Sequence, residues 1–164
     1  SIFEGKSSYT LFGEDICLQE NFNQVTTSLS YQGQILDDLE KKFGKNDERV
    51  LERKKLYTAM LLEHLDYVNL YNEKCENKLD HVLFFYSNYG SKKDVSENAG
   101  KILDQLYFDN NNLVIYSFDY NLNSSIVENL KIKYNVSDVP QIIINGNRSM
   151  GWPFSKQNIE TYLE

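Results

Sequence analysis

Apolar residues in the first half of the chain recur at Leu18, Phe22, Val25, Leu29, Leu36, Leu39 and Phe43, in steps of three and four. Gln32 is the one polar member of the series. That spacing places them on one face of a helix over about 17–43. Gly44 is suited to a left-handed helix stop, and Asn46 or Asp47 can cap the next helix. A second stripe, Val50, Tyr57, Leu61, Leu65, Val68 and Tyr71, predicts a helix over about 47–75. A short Gly-containing connection between two amphipathic helices implies an antiparallel hairpin.

From Val82 the period changes. Val82–Tyr86 is a continuous apolar run, the mark of a strand covered on both faces. Asp94, with Glu97 three residues on, reads as a capped helix start, and Ile102, Leu103 and Leu106 supply the face. Leu113–Phe118 is a second buried strand. Ser125–Glu128 reads as a capping box for a helix running to Tyr134. Gln141–Ile144 is a third strand, Asn145-Gly146 a hairpin turn, and Arg148–Gly151 its return. Ser155 can cap a last helix reaching Leu163. The order β-α-β-α-β-β-α predicts an α/β unit with a right-handed crossover and helices on both faces of one sheet. Polar Glu76–Asp80 is the expected boundary, giving segments 1–80 and 81–164.

Charge removes some functions. With 17 basic and 24 acidic residues the net charge is −7. Nucleic acid and anionic membrane surfaces both call for a basic face, so neither is expected as a partner. Arg53-Lys54-Lys55 and Lys92-Lys93 read as solvated faces. No 18-residue apolar run is present. The chain opens on Ser1 rather than Met, which leaves room upstream for a membrane anchor or signal. No motif calls for a cofactor, and His64 and His81 stand in no zinc-binding spacing with the cysteines. Three sequons, at Asn123, Asn135 and Asn147, read as chance in a chain rich in Asn and Ser.

Cys17 and Cys75 form no CxxC motif. A hairpin folded at Gly44 sets them side by side at its open end, where a disulfide can form. The bland reading makes each a small apolar residue in the seam. A disulfide would imply an oxidising compartment, outside the cytoplasm; free thiols would fit the cytoplasm.

Leu130–Gly146, LKIKYNVSDVPQIIING, resembles the thioredoxin segment in which a helix ends in KY-x-V, a loop gives V-P and an apolar strand turns at N-G. Asp119, after the second strand, stands where that superfamily often has an acidic residue. The resemblance covers about Val82–Glu164 and rests on the order and spacing of five elements. It implies a thioredoxin-like domain with an N-terminal helical hairpin outside the common core. The layout of cysteine, hairpin, cysteine and thioredoxin-like domain is also similar to membrane-anchored, extracytoplasmic thioredoxin-domain proteins predicted in some archaea.

The resemblance implies a cis Val139-Pro140 bond beside the active loop, with the backbone of Val139 available to an extended peptide. It also locates that loop at Ser87, Asn88, Tyr89, Gly90, Ser91, Lys92 and Lys93. Gly90 and Lys93 fall in the two cysteine slots; a one-residue slip puts Tyr89 and Lys92 there. Neither alignment has sulfur, and dithiol exchange needs an attacking thiolate and a resolving thiol. A hydroxyl such as that of Ser91 needs an adjacent base to act as a nucleophile, and neither histidine is near it in sequence, although Asp94 is. No catalytic residue is therefore expected, and the expected function is a redox-inactive module that binds a protein or peptide. Two alternatives stay open: a thiol-disulfide oxidoreductase relative working through Cys17 and Cys75, and a purely structural ectodomain. The sequence leaves the oligomeric state open.

Overall fold

The computed structural model describes residues 15–164. The chain forms two compact units that divide between Lys78 and Leu79.

The first unit contains helices α1 (Gln19–Phe43) and α2 (Glu48–Lys74), which pack against each other. At about 1.5 Å per residue they are roughly 38 and 40 Å long. The turn between them differs from expectation in one detail. Gly44 has the positive φ (88°) that favours glycine, but its ψ of 154° is extended rather than left-handed helical, and its N–H donates to the Glu40 carbonyl. Asp47, not Asn46, caps α2, accepting from the Arg49 N–H.

The stripes form the seam. Leu29 and Leu36 of α1 are buried, as are Val50, Leu61, Leu65, Val68 and Tyr71 of α2. Phe22 packs its ring at 5.8–6.0 Å from those of His64, Tyr67 and Tyr71. The buried arc of α2 is wider than the stripe, because it includes Lys54, Thr58 and His64. Each has a polar partner. Thr58 Oγ1 donates to the Lys54 carbonyl, and Thr26 Oγ1 lies 2.9 Å from His64 Nε2. Lys54 is 4% exposed and its ammonium stands 3.8 Å from Glu40. The reading of Arg53-Lys54-Lys55 as a solvated face therefore fails at Lys54, which pairs across the hairpin.

At the open end Cys17 and Cys75 are bonded, with Cα atoms 5.6 Å apart. The Tyr67 hydroxyl donates to the Ile16 carbonyl beside it. Lys78 then reaches back to the carbonyls of Asn72 and Cys75 at the end of α2.

The second unit runs β1 (Asp80–Tyr86), α3 (Gly90–Asp109), β2 (Leu113–Asp119), α4 (Ser125–Tyr134), β3 (Gln141–Ile144), β4 (Arg148–Gly151) and α5 (Lys156–Glu160). The sheet is mixed, in the order β2-β1-β3-β4. β1 pairs parallel with β2 and antiparallel with β3, and β3 pairs antiparallel with β4. A helical N-terminal region followed by such a unit is compatible with a thioredoxin-like layout.

Alternation along β1 splits its side chains between two faces. Val82 and Phe84 join Ile142, Ile144, Leu103, Leu106 and Ile159 in one core. Leu83 and Phe85 point to the other face, in register with Tyr116 and Phe118, and all four are buried. α4 contributes buried Val127 and Leu130. Burial on both faces explains the uninterrupted apolar run in β1.

The caps of α3 and α4 lie five residues and one residue before the expected positions. α3 begins at Gly90, so Asp94 lies inside it rather than capping it. α4 is capped by Ser124, whose hydroxyl accepts from the Val127 N–H, not by Ser125. α5 is capped by Ser155 as expected but ends at Glu160. Asn145 and Gly146 take positive φ (51° and 75°) at the centre of a turn closed by the Asn147 N–H donating to the Ile144 carbonyl, so the hairpin loop between paired Ile144 and Arg148 has three residues. Val139-Pro140 is cis, and so is Trp152-Pro153, which the sequence did not signal.

Candidate functional site

The carboxyl ends of β1 and β2, the start of α3 and the segment before β3 converge on an open cleft of about 300 Å³. Ser87, Tyr89, Gly90, Ser91 and Lys92 line one side, with Val139 among the residues opposite. Asn88, Lys93 and Pro140 are not in its lining. Gly90–Lys93 already belong to α3, so the expected loop is in fact three loop residues and the first helical turn. Gly90 has φ +58°, a conformation glycine adopts without strain.

Ser87 organises the floor. It is 4% exposed. Its N–H donates to Ser96 Oγ, its hydroxyl donates to Asn121 Oδ1 at 2.6 Å, and that hydroxyl oxygen accepts from the Tyr89 N–H. Asn121 is held in turn, its N–H donating to Asp119 Oδ1 at 3.0 Å. Ser87 is thus a hub that fixes the loop to the end of β2. Tyr120, between Asp119 and Asn121, donates its N–H to the Tyr86 carbonyl, which extends the β1–β2 pairing into the cleft wall. The Lys131 ammonium lies 3.7 Å from the centre of the Tyr120 ring.

Across the cleft the backbone of Val139 is not open in the way expected. Its N–H donates to Asp138 Oδ1 at 2.9 Å. The same oxygen lies 3.0 Å from Lys92 Nζ. The Lys92 hydrogen bond, joined by that of the Val139 N–H, holds the Asp138 carboxyl below the ordinary carboxylate range. Lys92 therefore does not stand alone as solvated charge, while Lys93 beside it is exposed.

Tyr120, Asn121, Ser137 and Asp138 line the cleft without having been singled out as site residues. The signal for Asp138 lay in its place beside the Val-Pro pair. For Tyr120 and Asn121 it lay in the turn after β2, next to the noted Asp119.

The lining holds no cysteine or histidine. The disulfide lies in the other unit, where Cys75 is 6% exposed. Among the described residues no cluster of three or more His, Cys, Asp or Glu is placed to hold a metal ion. No helix among them is long and apolar enough to cross a membrane. No protein-family model matches the chain, and no curated protein matches it.

Proposed function

We propose that Leu79–Glu164 is a thioredoxin-like domain without its dithiol, and that it docks an extended protein or peptide segment in the cleft between Tyr89–Lys92 and Val139. The carrying observation is the cleft itself. It joins the carboxyl ends of two strands to the segment before β3, and nothing in its lining can act as a thiolate or an imidazole base. Ser87 is buried and committed to three hydrogen bonds, which leaves it a structural role. Ser91 is exposed and has no histidine beside it in the cleft.

The Cys17–Cys75 bond supports a place for this protein in an oxidising compartment. With it goes the proposal of an extracytoplasmic domain, held near a membrane by a segment upstream. Cys75 is covered and Cys17 half-buried, which supports a structural bond over a catalytic one, since labile disulfides are the exposed ones.

Two measurements test this reading. The oxidised chain should give no turnover in an insulin-reduction assay; clear turnover would return the protein to the oxidoreductases. Titration of the isotope-labelled chain with unstructured peptides should move the amide signals of Ser87–Lys93 and Val139. Silence with every peptide would leave only the scaffold reading.

A further inference from the structure

Two donors in the cleft converge on a single oxygen. The Val139 N–H and the Lys92 ammonium lie 2.9 and 3.0 Å from Asp138 Oδ1. Val139 is the backbone position a docked strand would pair with, so Asp138 occupies the place of a ligand group. Resting on the docking function proposed above, we infer that Asp138 fills an acidic-side-chain position from within, and that the cleft takes an extended segment whose Asp or Glu replaces it.

The occupant can leave. The Asp138 side chain is 75% exposed and that of Lys92 45% exposed. Exposed pairs of this kind hold by less than about fivefold in equilibrium constant. Departure of Asp138 uncovers a charged group and an amide N–H together. A neutral segment supplies a carbonyl to Val139 and leaves Lys92 without its counter-charge. A segment with an acidic side chain satisfies both.

Local charge runs the same way. Lys92 and Lys93 sit on the first turn of α3, and that turn carries no acidic residue. Lys131 lies over Tyr120 in the opposite wall, paired with Glu128 at 2.9 Å. With Asp138 turned out, Lys92 is the remaining charged side chain of the cleft lining. The lining thus holds one basic and one acidic side chain, and it becomes basic, at Lys92, when Asp138 leaves. An internal side chain rather than a chain end is the committed occupant, because the cleft is open and a strand can run through it.

The test uses the oxidised 164-residue chain and three probes. The first is an N-acetylated, C-amidated hexapeptide of alternating Val and Thr with one central Asp. The second carries Asn in its place. The third is the Asn peptide with a free carboxyl end. Binding is read from the amide signals of Ser87–Lys93 and Val139. The Asp peptide should bind about fivefold tighter than the Asn peptide, the scale of one exposed charge pair. Lys92→Met should erase that preference, and Asp138→Asn should tighten the Asp peptide by about threefold. Both changes are at the surface, so the rest of the amide spectrum should hold and report an intact fold. Equal binding of the Asp and Asn peptides, or a preference that survives Lys92→Met, overturns the inference. A gain with the free carboxyl end alone overturns it too, in favour of a site that reads chain ends. No shift from any probe, with wild type or with Asp138→Asn, refutes the docking function itself.

Discussion

The hairpin and the sheet unit each close an apolar core, and they place their polar groups differently. In the hairpin the polar groups lie inside the seam. Thr26 meets His64, Lys54 meets Glu40, and a disulfide ties the open end. In the sheet unit Leu83, Phe85, Tyr116 and Phe118 close one face and Val82, Phe84, Leu106 and Ile142 the other. Its polar network lies at the strand ends, where Ser87, Asn121 and Asp119 fasten the cleft. Two helices have a single shared seam, so specificity there falls to a few paired polar groups and a covalent link. A sheet with two buried faces is held by area. Its strand ends are then free to carry a site.

The largest blow to the sheet unit should be Phe85→Ala. Phe85 is fully buried and its ring lies 5.7 Å from that of Phe118. A loss of about 3–5 kcal/mol is expected in urea unfolding; under 1 kcal/mol would mean the second face is not packed as described.

The matching blow to the hairpin is removal of the disulfide by paired Cys17→Ser and Cys75→Ser. The bond closes a loop of 58 residues in sequence separation, worth about 4 kcal/mol in the chain-entropy account. Faster amide exchange across Leu29, Leu61 and Leu65 should report it. Unchanged exchange there would show that the seam holds without the bond.

Acid should separate the units further. Burial presses the His64 imidazole down from 6.5 to about 4. A neutral imidazole is favoured in the folded hairpin, so its contribution is complete above pH 6.5. It is lost as pH falls towards 4, by an amount reaching about 3 kcal/mol. His64→Gln should flatten that part of the stability–pH curve; an unaltered curve would remove His64 as its source. Burial also lowers His81 in the sheet unit, but neighbouring Asp80 opposes the shift, so the acid effect there should be the smaller of the two.

The smallest expected effect is at the helix starts. Asp47→Ala removes the side-chain acceptor for the Arg49 N–H and should cost about 1 kcal/mol. Ser124→Ala should cost α4 a similar or smaller amount, its bond to the Val127 N–H being long at 3.5 Å. Equal exchange rates at the two helix ends before and after substitution would show that neither cap matters.

Much of this was legible. The 3.6-residue period located both hairpin helices within two residues, and continuous apolar runs with the Asn145-Gly146 turn located the strands, because burial on one face or two leaves a pattern no short loop mimics. Hairpin length set the two cysteines side by side and left a disulfide as one of two readings. What escaped has a common cause. Lys54 and His64 read as polar positions on a helix, since their partners Glu40 and Thr26 are 14 and 38 residues away. Asp94 looked like a cap because helix starts depend on where the preceding strand ends as well as on side chains. Gly90 could begin α3 five residues earlier by adopting a φ of +58°.

Sequence alone determined the two-part α/β organisation, the absence of sulfur between Ser87 and Lys93 and the pairing of Cys17 with Cys75 as an option. Each rests on periodicity, on composition or on distance along a helix. Only the tertiary structure decided that Asp138 takes the Val139 amide and the Lys92 ammonium on one oxygen. Lys92 and Asp138 are 46 positions apart on different elements, and a contact of that kind exists only after the sheet has brought the start of α3 and the segment before β3 to the same edge.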